Sequence, residues 1–237
     1  YEEKIKLNKY LQNWINEKIK FELRSLVDLK NINERNSELR ALSYHLYENN
    51  GVVKRENVSK YLEKLNQEER KKLRKIGVKF GRYHIFLYKL FKPSSVSLRI
   101  ILWKSFNEKN LNLFPPTFGL NFLEEKEKIN KDFMLLCGFE KFDRFFVRID
   151  ILERLFILIF NSNKERNNDI KLIPEMLNLL GCNKENFLKI LHSMGYNTYK
   201  KDKDVYFKYV NKKKFRKKTK QLDINNPFEI LNQLNIK

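Results

Sequence analysis

The sequence predicts a mainly α-helical chain, with a helical bundle followed by a winged-helix-like domain. Through most of the chain, apolar residues recur every three or four positions, which is the spacing of amphipathic helices. In residues 169–210, two amphipathic segments flank a turn at Gly181 and lead into the alternating strand Val205–Val210. A helix-turn-helix unit followed by a β-hairpin is the order of a winged helix, a fold that serves many functions.

Composition divides the chain at a Pro-rich stretch that contains Pro115, Pro116 and Gly119. Residues of these types favour loops and linkers. The predicted parts are a helical bundle over 1–109, a Pro-rich connector over 110–123, a winged-helix-like domain over 124–211, and a basic tail with a short terminal helix over 212–237.

The first part alternates helical spacing with one extended segment. Asn66 and Glu69 match a capping box, so two consecutive helices are expected around them. Between Gly77 and Phe86, β-branched and aromatic residues favour a short strand. The predicted elements are a helix over 4–30, a helix that Ser37 begins and Gly51 follows, two helices within Glu56–Ile76, a strand within 77–86, and a helix from Pro93 to near Asn107.

The second part is predicted to begin with a helix over Glu124–Cys137 and a strand over Arg144–Arg148. The following helix, Asp150–Phe160, is apolar nearly all round, which is typical of a helix buried on two sides. The β-hairpin pairs 196–199 with 205–210 across the turn KKDKD. No internal repeat is apparent.

Charge and cysteine content narrow the class of protein. The formal net charge is +20 and the pI is about 9.8, which favours a polyanionic partner, with nucleic acid first. Part of this excess reflects a composition rich in Lys, Asn and Ile, with only 7 Gly and 5 Pro, as AT-rich coding sequences give. Cys137 and Cys182 are too few for a disulfide framework or a zinc site, so buried thiols in a reducing cytosol are expected.

The candidate nucleic-acid-binding residues follow the hairpin and the second helix of the helix-turn-helix. Basic residues beside tyrosines suit single-stranded or structured RNA, because phosphates pair with lysines and bases stack on aromatic rings. The alternatives are a solvated basic tail and, for the helix, a packing module. The candidates are Lys184, Asn186, Lys189, Lys200, Lys201, Lys203, Lys208, Lys212, Lys213, Lys214, Arg216, Lys217 and Lys218.

Several motifs are absent from the sequence. It has no phosphate-binding loop, no Asp-Glu box for magnesium and no nucleophile elbow. His45, His84 and His192 stand apart from other metal ligands and are expected to be core or surface residues. No apolar run is long enough for a membrane span, and we expect no signal peptide. We therefore expect no catalytic residue, metal or cofactor in this chain, and no membrane partner.

Four segments resemble, in the same order, the C-terminal region of alphaproteobacterial superfamily II RNA helicases related to the mitochondrial degradosome helicase. The resemblance covers roughly Leu11 to Leu231, and its first block is the most specific. The segments are LRKIGVKFGRYHIFLYKLFKPSSVSLRIILW, FVRIDILERL, IPEMLNLLGCNKENFLKILHSMGY and NPFEIL.

The resemblance implies a C-terminal accessory role in a bacterial, cytoplasmic RNA helicase. In that family, two RecA-like motor domains bind ATP and magnesium, and the C-terminal region grips RNA and packs against them. No catalytic residue transfers, because the motor domains are not in this sequence. Since the helical pattern begins at Tyr1, we expect a longer parent protein. The alternatives are a self-standing winged-helix DNA-binding regulator and a protein-interaction module.

Overall fold

The computed structural model describes residues 2–32, 36–107, 113–125, 129–163, 169–201 and 204–210. Over these residues the chain is mainly helical, with small antiparallel sheets. The α-helices are α1 (Glu2–Glu22), α2 (Arg24–Lys30), α3 (Ser37–Glu48), α4 (Ser59–Lys64), α5 (Gln67–Ile76), α6 (Pro93–Phe106), α7 (Lys131–Leu136), α8 (Ile149–Asn163), α9 (Pro174–Leu180) and α10 (Lys184–Ser193).

Short strands and two 3-10 helices connect these helices. The 3-10 helices span Arg55–Val58 and Tyr88–Phe91. The strands are β1 (Val52–Lys54), β2 (Val78–Phe80), β3 (His84–Leu87), β4 (Phe122–Glu124), β5 (Phe139–Phe142), β6 (Phe145–Arg148), β7 (Ile170–Lys171), β8 (Tyr196–Lys201) and β9 (Asp204–Tyr209).

The strands form three sheets with the same arrangement, in orders β1-β3-β2, β4-β6-β5 and β7-β9-β8. In each sheet the strand that comes last in sequence lies in the centre. The first and third sheets also have the same order of adjacent α-helices. Helix α3 directly precedes β1 and α8 directly precedes β7, and two α-helices lie between that strand and the hairpin. The sequence suggested no repeat because this repeat is one of topology, and apolar spacing alone does not encode strand order.

The helices and sheets pack around three larger cores, and Phe145 and Val147 of the second sheet belong to the third core. The first core is formed by helices α2, α3, α4 and α5 together with strand β3. It includes Leu42 and Leu73, both fully buried. A smaller core places α6 and α7 against the second sheet, with Phe133 and Phe146 at its centre. In the third core, α8, α9 and α10 pack around Phe207 of the third sheet. We call the face of this sheet that carries Tyr196 and Phe207 its inner face.

The first part differs from the predicted helical bundle in two respects. The predicted helix over 4–30 is broken at Leu23, whose side chain is buried between α1 and α2, and α1 itself has no buried residue. A helical bundle is also an incomplete description, because β1, β2 and β3 form a sheet there. The capping box of Asn66 and Glu69 is confirmed, and α5 ends at Gly77 in the left-handed conformation that favours glycine.

In the second part, the predicted helix over Glu124–Cys137 is wrong at its start. Residues 122–124 form β4 and pair with β6, with Phe122 opposite Val147. Helix α7 begins only at Lys131, because the Asn130 side chain accepts a hydrogen bond from the Phe133 amide and caps it. The start of the predicted connector, residues 110–112, and the last two residues of the predicted bundle, 108–109, lie outside the described residues.

The predicted β-hairpin is present as β8 and β9. Helix α8 is not buried on both sides, however. Phe156 is 6% exposed, whereas Ile157 and Phe160 are 60% and 61% exposed. Within the described ranges, no helix combines the length and the apolar character that a membrane crossing requires.

Candidate nucleic-acid interface

Part of the predicted site lies on described elements. Lys184, Asn186 and Lys189 are on α10, Lys200 and Lys201 are on β8, and Lys208 is on β9. All are exposed except Asn186, which is half-buried. The other predicted residues, Lys203, Lys212, Lys213, Lys214, Arg216, Lys217 and Lys218, lie outside the described residues.

The α10 residues are largely engaged within their own helix. The Asn183 side chain caps α10 by accepting a hydrogen bond of 2.8 Å from the amide of Asn186. Lys189 forms an ion pair with Glu185 one turn away, and the hydrogen bond from Lys189 lowers the pKa of that carboxyl. Lys184 is thus the main cation that the N-terminal end of α10 offers to a polyanion.

The hairpin gathers basic and aromatic side chains on one face, which we call the outer face of the third sheet. Tyr199 lies directly opposite Tyr206, and their rings are stacked with centroids 5.9 Å apart. By strand alternation, Lys201 and Lys208 share this face. Lys171 also lies there, because it pairs with Tyr206 in the register of β7 and β9.

Two carboxylates partly offset the charge of this outer face. Lys171 forms an ion pair with Asp204. The pKa of Tyr199 is raised by loss of hydration and by its hydrogen bond to Asp169. Lys201 and Lys208 are not members of any ion pair within the described part of the chain. The outer face therefore has the lysine and tyrosine composition that suits a nucleic acid.

The predicted residues do not form one continuous surface. Helix α10 buries Phe187, Ile190 and Leu191 against the inner face of the third sheet. The outer-face lysines are on the opposite side of that sheet. The predicted residues of α10 and the outer-face lysines therefore belong to separate surfaces.

A second feature, which the sequence analysis missed, is a carboxylate that binds the turn between β2 and β3. Glu153 of α8 accepts hydrogen bonds from the amide groups of Arg82, Tyr83 and His84, the last two at 3.0 and 2.8 Å. Gly81 allows this approach, because a Cβ atom there would lie 2.3 Å from Cδ of Glu153. We call each sheet with the helices packed on it a unit, numbered as its sheet. The turn between β2 and β3 in the first unit is thereby fixed to α8 in the third.

His84 extends this contact into a buried ionic cluster. Its Nε2 lies 3.1 Å from Oε2 of Glu140, and its Nδ1 lies 3.5 Å from Oε1 of Glu153. Lys54 Nζ donates to the other oxygen of Glu140 at 2.8 Å. His84 is therefore a core residue, as expected, but one placed between two carboxylates.

The pKa values of this cluster follow from burial and pairing. Burial lowers the pKa of His84, but hydrogen bonding to Glu140 and the proximity of Glu153 raise it by more, so the net shift is upward. Burial raises the pKa of both glutamates, yet their hydrogen bonds outweigh it and the net shifts are downward. The charged forms of His84 and of the two glutamates are thus favoured together, as in a buried ion pair.

The fixed turn forms one wall of a groove, and α8 forms the other. The groove has a volume of about 1170 Å³, which exceeds the usual size of a pocket for one small molecule. Tyr83 packs on Phe156 with ring centroids 3.9 Å apart, and its hydroxyl is hydrogen-bonded to Tyr196. We name this site the hairpin–α8 groove; its exposed basic and aromatic lining residues are Lys79, Arg82, Tyr83, Tyr88, Arg154 and Tyr209.

No sequence pattern joins the two walls of this groove, because they are about 70 residues apart in the chain. The segment GRYH carried the only hint, since glycine beside Arg and Tyr in a strand often marks a close approach. Comparison with protein-family models, curated proteins and solved structures finds no match. Among the described residues, no group of His, Cys, Asp and Glu is arranged to hold a metal ion.

Proposed function

We propose that this chain is the C-terminal accessory region of an ATP-dependent RNA helicase, which binds RNA and packs against the motor domains without being catalytic itself. In this proposal ATP and magnesium belong to the motor domains. The ordered resemblance of four segments supports the family, and the topology supports the mode of binding.

The third unit supports a winged-helix interpretation. Its elements run α8, β7, α9, α10, β8 and β9, and its sheet has the order β7-β9-β8. Gly181, in the left-handed conformation, ends α9 and begins the turn into α10. A helix-turn-helix unit followed by a hairpin wing is the arrangement of this fold.

The observation that carries the proposal is the outer face of the third sheet, where the stacked Tyr199 and Tyr206 lie beside Lys201 and Lys208. Lysines at such a face bind phosphates, and exposed rings stack on bases without sequence preference. A DNA-binding regulator would instead use α10 to reach base edges. The engagement of Asn183 and Lys189 within α10 favours the RNA-binding proposal.

The test is binding of a fluorescein-labelled 12-nucleotide oligouridylate. Lys201→Gln/Lys208→Gln removes two outer-face cations and should reduce the slope of log K against log salt by up to about 1.4, about 0.7 for each lost phosphate contact. Lys6→Gln/Lys9→Gln on α1 is the matched control, since both residues are exposed, and should bind like the wild type. Equal slopes for both variants would remove the outer face from the site.

A further inference from the structure

We propose that the hairpin–α8 groove is a second binding site, and that its ligand is a single-stranded nucleic-acid segment. This inference rests on the proposed function only in that the same chain binds RNA. The groove is separate from the outer face of the third sheet, because Tyr196 and Tyr209 line it from the inner face of that sheet.

The electrostatics of the groove favour a polyanion. Lys79 and Arg82 extend from the hairpin wall and Arg154 from the α8 wall, and all are exposed. No ion pair among the described residues includes any of these side chains. The acidic lining residues are already paired, since Asp150 binds Arg148 at 2.7 Å and Glu153 binds the turn. Lys79, Arg82 and Arg154 therefore face the groove outside the ion pairs of the described residues, while its two carboxylates, Asp150 and Glu153, are held by other partners.

The aromatic lining favours unpaired bases over other polyanions. Tyr83, Tyr88 and Tyr209 are 37%, 43% and 52% exposed. Lys79 Nζ lies 5.2 Å from the centroid of the Tyr88 ring, so a cation and a stacking surface are adjacent at this point. Adjacent basic and aromatic side chains are the usual composition of a site for single strands, whereas a double helix would present its phosphates to a wider surface.

The contacts of Glu153 keep the groove preformed in the absence of a ligand. That carboxylate fixes the backbone of Arg82 and Tyr83, and the Tyr83 ring is packed on Phe156. The side chain of Arg82 takes no part in these hydrogen bonds. Its replacement therefore tests binding without removing the contact that positions the hairpin.

The experiment compares groove variants with matched surface variants in binding to the labelled 12-nucleotide oligouridylate. Arg82→Gln/Arg154→Gln should weaken binding and reduce the salt slope by up to about 1.4, as expected for two phosphate contacts. Tyr88→Ala should weaken binding by about fivefold or more, the loss expected for one stacked base. Lys6→Gln/Lys9→Gln and Tyr10→Ala, on exposed positions of α1, should leave affinity unchanged.

A position-specific readout accompanies the titrations. Photocrosslinking with oligouridylate that contains 4-thiouridine, followed by mass spectrometry, should locate crosslinks at the groove tyrosines. Thermal melts verify that each variant is folded, and a misfolded variant is replaced by Tyr209→Ala. Crosslinks confined to the outer face would overturn the inference even if a groove variant could not be prepared.

The outcomes distinguish the two proposals. If groove variants bind like the wild type while Lys201→Gln/Lys208→Gln binds more weakly, the groove inference falls and the proposed function stands. If the wild-type chain does not bind oligouridylate, the proposed function fails and the groove inference fails with it. If the groove variants lose affinity for labelled polyglutamate but retain it for oligouridylate, the groove binds an acidic peptide and the inference is overturned.

Discussion

At the residue scale, Gly81 is the glycine at which an added Cβ atom would come closest to another atom, Cδ of Glu153. Gly81 lies where a Cβ atom would be 2.5 Å from Glu153 Oε2 and 2.6 Å from the His84 carbonyl oxygen. Only glycine therefore permits the hydrogen bonds between the Glu153 carboxylate and the turn. This residue pair connects the first and third units, which are far apart in sequence.

We expect Gly81→Ala to destabilise the chain by about 1–3 kcal/mol, the usual cost of overpacking. Because part of the clash is with Glu153, the double variant Gly81→Ala/Glu153→Ala should lose less stability than the sum of the two single variants. Chemical denaturation of the four proteins measures this coupling. Strict additivity would show that the two residues do not interact.

The cluster of Lys54, His84, Glu140 and Glu153 should make stability depend on pH. The raised pKa of His84 adds stability that is complete below its unfolded value near 6.5 and is lost as pH rises through the folded value. The lowered pKa values of the glutamates add stability above about 4.5 that is lost as pH falls. Stability from this cluster should thus be greatest between about pH 4.5 and 6.5.

Thermal melts from pH 5 to 9 test this expectation, with His84→Gln as the comparison. The wild-type melting temperature should fall relative to that of His84→Gln as pH rises above about 6.5. His84 is the member of the cluster whose titration this comparison isolates. Parallel curves for the two proteins would contradict the assigned pairing.

At the scale of elements, α8 separates buried from exposed aromatic residues. Phe156 packs on Tyr83 and is 6% exposed, whereas Phe160 is 61% exposed. Phe156→Ala should therefore cost about 3–5 kcal/mol, and Phe160→Ser should change stability by no more than about 0.5 kcal/mol. Denaturation curves of both variants decide this, and a similar loss for both would show that α8 is covered on two sides.

The start of α5 and the last hairpin could be predicted because they depend on local chemistry. Asn66 and Glu69 cap α5 through contacts three residues apart, and alternation in residues 205–210 predicted β9. Strand β4 was missed, because Phe122–Glu124 becomes extended only through pairing with β6, more than 20 residues later. The break in the predicted helix at Leu23 also depends on tertiary contacts, since that side chain packs in the first core.

The candidate site was predictable only where it depends on local sequence. The lysines of the hairpin were identified from composition, and the structure places Lys201 and Lys208 beside the stacked tyrosines. The hairpin–α8 groove could not be found in this way. Its walls meet only because Glu153 binds a turn about 70 residues away, and no local pattern encodes that contact.

At the scale of the whole molecule, the chain has three sheets of identical strand order, and the two surfaces that we propose for a nucleic acid are separate from each other. The formal net charge of +20 supplies long-range attraction to phosphates. The proposed division of labour places RNA contact here and ATP hydrolysis in the motor domains.

The salt dependence of oligouridylate binding by the intact chain tests the central claim most directly. Several phosphate contacts predict that log K falls linearly with log salt, with a slope steeper than about −2 if three or more contacts form. Neutralising Lys213, Lys214, Arg216, Lys217 and Lys218 together should flatten that slope if the basic segment also contacts RNA. A slope near zero, or no binding at low salt, would contradict the account.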